Sequence, residues 1–158
     1  STPPTACNRP PISTSAVQFE ARLTMEDFND SAIRHLQDAE LLFGQNPQRL
    51  ANASHLFGVS AECSLKAIAK HLVPTARFGG RNGHIPALFS ELQHVSPAIA
   101  GNASLASKIA GLQQNFASWQ VSERYASQGT FATNRVSQEQ IGAKAANLLR
   151  QNCLGGLV

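Results

Sequence analysis

ASHLFGVSAECSLKAIAKHL (residues 53–72), the loop VPTARFGGRN (73–82) and GHIPALFSELQHV (83–95) together decide how this chain folds. Leu50, Ala53, Phe57, Ala61, Ser64, Ile68 and Leu72 recur at spacings of three and four, the period of one helix face. A helix is expected from a cap at Asn46, with Pro47 in its first turn where a missing N–H costs nothing, to Leu72 ahead of Pro74. At ~26 residues it would be about 40 Å long and the central element of the fold. Three glycines and a proline make residues 73–84 a loop, and a short helix over about 86–94 carries Leu88, Leu92 and Phe89.

The same period extends in both directions. Thr24 with Asp27 reads as a capping-box variant opening a helix whose inner face is Phe28, Ala32, Leu36, Ala39 and Phe43, closed by Gly44 and Asn46-Pro47. Ser96-Pro97 reads as another cap, and behind it Leu105, Ile109, Leu112, Phe116 and Trp119 alternate steps of four and three. Gly101 and Gly111 weaken that helix as one unbroken rod. Ser137 with Gln140 predicts a second capping box, with Ile141, Ala145 and Leu148 facing inward until Gly155-Gly156. No stretch alternates as a strand does. The expected fold is all-α, a four- to five-helix antiparallel bundle over residues 21–153. A Pro/Ser/Thr-rich arm or linker precedes it (1–20), and a short tail follows (154–158).

At 158 residues and 42% hydrophobic content the chain can bury a real core, and only 15% of it is charged. A net charge of +3 and a pI near 9.0 permit contact with nucleic acid, although Lys and Arg nowhere cluster into a phosphate-binding stripe. Cys7, Cys63 and Cys153 are odd in number and far apart, with no C-x-x-C or Cys/His metal spacing, so neither metal nor cofactor is expected and the cytoplasm is the expected compartment.

Candidate chemistry gathers in three places. On the central helix His55, Glu62, Lys66 and Lys70 fall within about 80° of one another at ~100° per residue, a stripe on which Glu62 could orient Lys66 toward a phosphate. The alternative is an ordinary i,i+4 surface pair. In RFGGRNGH, Arg77, Arg81 and His84 surround three glycines: backbone N–H groups and guanidinium forks suit an anion, yet no G-K-[ST] follows to make a P-loop. Arg124 and Tyr125 form the third group, an arginine beside an aromatic that can stack on a base. Trp119 reads as core. No Ser-His-Asp triad or paired-carboxylate site is visible.

Ala61, Glu62, Leu65, Lys66 and Ala67 form A-E-x-x-L-K-A, Gly83-His84 opens the next helix with Leu88 and Leu92 behind, and Arg124-Tyr125 precedes the last helix. In this order and spacing the pieces resemble the HEPN superfamily of small helical bundles over roughly residues 26–153. The resemblance implies RNA or nucleotide binding, homodimers, and a bacterial defence or toxin–antitoxin setting with a nucleotidyltransferase-like partner. The ligand-binding set it points to is Glu62, Lys66, Arg77, Arg81, His84, Arg124 and Tyr125. The family's ribonucleases carry an Arg and, four to six residues on, a His near the start of the last helix. This chain has Asn134-Arg135 there and no histidine after His94. The expectation is therefore a non-catalytic binding module. The alternatives are a protein–protein interaction module without a nucleic-acid role and a divergent, metal-independent endoribonuclease using His84.

Overall fold

The computed structural model describes residues 26–95 and 97–157, and across them every regular element is helical. The arm (1–20), Thr24 and Ser96 lie outside the described residues. Asp27 itself caps α1 (Phe28–Phe43), its carboxylate accepting the Asp30 N–H at 2.9 Å, and Gly44 closes the helix.

α2 spans Leu50–Leu72, 23 residues, so it begins later than a cap at Asn46 requires. Residues 45–49 form a turn instead, with the Arg49 N–H donating to Leu42 O at 3.1 Å. The start of α2 is satisfied from far along the chain: Gln128 accepts the Ala51 N–H at 3.1 Å and donates to Gln48 O at 3.0 Å. That side chain serves one open N–H of the first turn, which Asn46 does not.

Beyond α2 come α3 (Ala87–Val95), α4 (Pro97–Ala100), α5 (Ala103–Leu112) and α6 (Thr133–Leu154), with 3-10 turns at Gly80–Gly83, Gln113–Phe116, Val121–Tyr125 and Gln128–Thr130. The helix expected behind Pro97 divides at Gly101, and Asn102 caps the second piece by accepting the Leu105 N–H at 3.0 Å. Leu105, Ile109, Leu112, Phe116 and Trp119 are all buried, as their spacing predicts.

α2 lies at the centre, with α1 and α6 packed along it. A buried relay joins the three: Asn147 of α6 donates to Ser60 Oγ at 2.8 Å, and Ser60 donates to Ala32 O of α1 at 2.7 Å. Trp119 reaches across α2, its indole N–H donating to Ser54 O at 2.9 Å, with His55 stacked on its ring.

Two expectations for α6 are corrected. The helix begins at Thr133, so Ser137 sits a turn inside it and caps nothing. Its inner face is also a different one. Ile141 is 54% and Leu148 58% exposed, and Ala145 is exposed too, whereas Val136, Gly142, Ala143, Ala146, Leu149 and Cys153 are buried. Small residues let α6 approach its neighbours closely; a Cβ on Gly142 would stand 2.5 Å from Asn115 Cβ and 2.6 Å from the Phe116 ring. Among the described residues no helix is long and apolar enough to cross a membrane.

Gly58 is the matching close approach on α2, where a Cβ would fall 1.9 Å from the Trp119 ring. Gly58→Ala should therefore cost about 1–3 kcal/mol through overpacking. Gly129→Ala, with nothing within 4 Å, should cost far less. Denaturant melts of the two variants beside the parent protein check this, and equal stabilities would contradict the packing described.

Candidate functional site

Glu62 sits within the buried length of α2, where a carboxylate needs partners for both oxygens. It finds them in the 80–86 turn. His84 Nδ1 lies 3.1 Å from Oε1, and the Ile85 N–H donates to Oε2 at 3.0 Å. A carboxylate accepts and cannot donate, so Nδ1 holds the proton in this pair and Nε2 is the nitrogen left over. The turn itself needs its glycines: Gly80 has φ +61°, a left-handed backbone that L side chains rarely adopt. His84 O then accepts the Leu88 N–H at 2.9 Å at the start of α3.

Lys66 completes this group from the inside. Its ammonium lies 3.6 Å from Glu62 Oε1 and within 5.5 Å and 6.0 Å of the Phe28 and Phe78 ring centres. Those rings meet edge to face at 5.9 Å. With its side chain only 12% exposed, Lys66 is enclosed by aromatic faces and a carboxylate rather than presented to a ligand. Cys63 beside it is inert, burial pushing its thiol up to about 11.

On the outer side of His84 lies a cleft of about 670 Å³, lined by Arg81 and residues 84–87 from one segment and by residues 120–122 from the other. None of these side chains is acidic. The structure thus brings Glu62, Lys66, Arg81 and His84 together in two shells, a buried one that holds and an outer one that faces the cleft. Arg77 stands apart: it donates to Thr75 O and Ala76 O, each at 3.1 Å, and lines a separate apolar pocket with Phe78 and Leu92. Arg124 and Tyr125 are exposed and stack on each other, the guanidinium 4.8 Å from the ring centre, and neither lines the cleft. They lie just beyond its second wall.

A second polar cluster was not anticipated. Arg135, near the start of α6, is held by Glu123 in a two-pronged pair, by Glu139 at 2.9 Å and by Ser118 O at 3.2 Å. The Glu123 contact is the main influence raising its pKa further. Glu139 is buried, and burial holds its carboxyl above the usual range despite the Arg135 charge. The Arg135–Glu139 spacing of four was readable on α6, but Glu123 comes from another element. All these contacts make Arg135 a tie between the 118–123 segment and α6. Among the described residues no three His, Cys, Asp or Glu side chains assemble into a metal-binding group.

His55 and His35 set a pH dependence. Burial, then the charges of Arg124 and His35, hold the His55 imidazole below its ordinary range; burial and then Arg34 do the same for His35. A depressed histidine favours its neutral form in the folded state, so its stabilisation is complete above the unfolded value of 6.5 and is lost as pH falls from there through the folded value. Unfolding free energy should therefore decline on acidification below pH ~6.5, and His55→Gln should flatten that slope. Urea titrations at several pH values test it, and an identical slope in His55→Gln would refute the assignment.

No family model matches the chain, and no curated protein or solved structure matches it either.

Proposed function

We propose that the chain is an RNA- or nucleotide-binding helical bundle of HEPN type, holding phosphate in the Arg81–His84 cleft. One observation carries this reading: the cleft offers a guanidinium and a fixed imidazole and contains no carboxylate. Arg81 supplies a planar fork suited to phosphate oxygens, and Ser122 and Gln120 add hydrogen-bonding groups. At about 670 Å³ the cleft is of the size that encloses a small ligand or the end of a strand. The resemblance of A-E-x-x-L-K-A and Gly83-His84 to HEPN domains supports the same reading. The homodimer, the defence setting and the nucleotidyltransferase-like partner belong to this proposal and rest on that resemblance.

The Glu62–His84 pair favours a second reading. A buried carboxylate on Nδ1 fixes the tautomer and the orientation of the ring, the arrangement by which a histidine serves as general base and then acid. His84 Nε2 would then take the proton of a ribose 2′-hydroxyl as that oxygen bonds to the adjacent phosphorus, and return it to the 5′-oxygen that leaves as the P–O5′ bond breaks, with Arg81 holding the phosphate oxygens of the cyclic product.

Titrating the protein into a labelled oligoribonucleotide at two salt concentrations, with shift and cleavage read together, separates the readings. Arg81→Ala should weaken binding roughly ten- to a hundredfold, the worth of a charged hydrogen bond, and lower the salt slope by about one. Cleavage abolished by His84→Ala would establish the second reading. A shift that Arg81→Ala leaves unchanged would remove this cleft from consideration.

A further inference from the structure

A guanidinium withdrawn from water needs a counter-charge or a full set of acceptors. Arg150 of α6 has neither among the described residues. It is 7% exposed, its Nη1 donates to Asn29 Oδ1 of α1, and its Nε is buried without an acceptor. No carboxylate pairs with it there, whereas Arg135 has Glu123 and Glu139, and Lys144 has Glu40 at 2.9 Å. Burial lowers its pKa, and no charged neighbour among the described residues offsets the effect. Arg150 also lines a cavity of about 460 Å³ between α1 and α6, whose apolar wall is Ile33, Leu36 and Leu148.

We propose that this cavity binds an aliphatic monocarboxylate, its carboxylate paired with Arg150 and its tail lying along Ile33, Leu36 and Leu148. The chemistry favours a single negative charge on an apolar body. Among the described residues lining the cavity Arg150 is the one uncompensated cation, since Glu40 neutralises Lys144, and the Glu40 carboxylate disfavours a dianion such as phosphate. The exposed Leu148 and Ile33 are the two large apolar side chains that a tail would cover, and covering them returns the area to the apolar interior. The cavity falls within the roughly 300–1,000 Å³ range of small-ligand sites. It shares no residue with the Arg81–His84 cleft, so either site can fail without the other.

Calorimetric titration of the whole chain with octanoate, and separately with octanol and inorganic phosphate, tests the proposal. Octanoate should bind saturably at one site, with octanol and phosphate weaker. Arg150→Met removes an uncompensated buried charge at similar volume, so it should fold at least as stably as the parent while its octanoate affinity drops by about tenfold or more. Should Arg150→Met fail to fold, Leu148→Glu decides: that exposed position tolerates a charge, and a carboxylate at the tail wall should weaken octanoate to a similar extent. Absence of saturable octanoate binding, equal binding of octanol, or affinity undiminished in the folded variants would overturn the assignment.

Discussion

The enclosure of α2 is the constraint on which the rest of the structure depends. Between Ala53 and Ala69 this helix has no exposed residue: His55, Leu56, Val59 and Lys66 are half-buried and the rest are buried, among them Ser54, Ser60, Glu62 and Ser64. A helix in that position must be narrow, hence its alanines, its serines and Gly58, against which Trp119 lies in direct contact. Its polar atoms must also be answered from outside. Ser60 is answered by α1 and α6, the Ser54 carbonyl by Trp119, and Glu62 by the 84–85 backbone and imidazole. Each of these three groups on the central helix thereby fixes the position of a different peripheral segment, whereas the Ser54 and Ser64 hydroxyls find no partner among the described residues. The outer loops are placed by hydrogen bonds that the core would otherwise lack.

This explains what could be read in the sequence and what could not. Large apolar residues at helical spacing were legible wherever the burying partner was also apolar: Phe57, Leu88, Leu92, Leu105, Ile109, Phe116 and Trp119 are all in the core. On α6 the same rule pointed the wrong way, because the inner face is built from Gly142, Ala143, Ala146 and polar Glu139, Asn147 and Arg150, and Ile141 and Leu148 stand outside. Hydrophobic period follows side-chain size, whereas close helix packing selects small residues. The start of α2 was misread for a related reason: its cap comes from Gln128, and no local window contains that partner. In the site, the sequence put Glu62 and Lys66 on one helix stripe and His84 in a separate loop group, with Glu62 expected to orient Lys66. Glu62 orients His84 directly, and Lys66 is packed inward between Phe28 and Phe78.

The basic side chains sort by the company they keep. Arg135 has its charge answered twice and donates a further bond to Ser118 O, so it ties elements together. Lys66 is enclosed, and Arg77 is turned onto its own loop carbonyls. Arg81 is exposed and lines its cleft without an ion pair among the described residues, and Arg150 is buried and lines its cavity without one. The difference in burial between these last two matters chemically. An exposed guanidinium loses little by waiting for a phosphate, because water screens it. A buried one destabilises the empty protein until a counter-charge arrives, and a ligand that supplies one recovers the cost of that burial.

Glu62 carries both stability and site geometry, and this limits how the cleft can be dissected. Its two oxygens hold the turn that precedes α3 and the ring that borders the cleft, so replacing it releases loop and imidazole together. Loss of binding in such a variant would say nothing about contact with a ligand. Arg81 and His84 lie on the outer side of the same arrangement, where truncation leaves the Glu62–Ile85 backbone bond in place. A ligand-contacting role therefore has to be read at Arg81 and His84, and a positioning role at Glu62. The two are separable because the buried carboxylate engages the turn through a backbone N–H as well as through the imidazole.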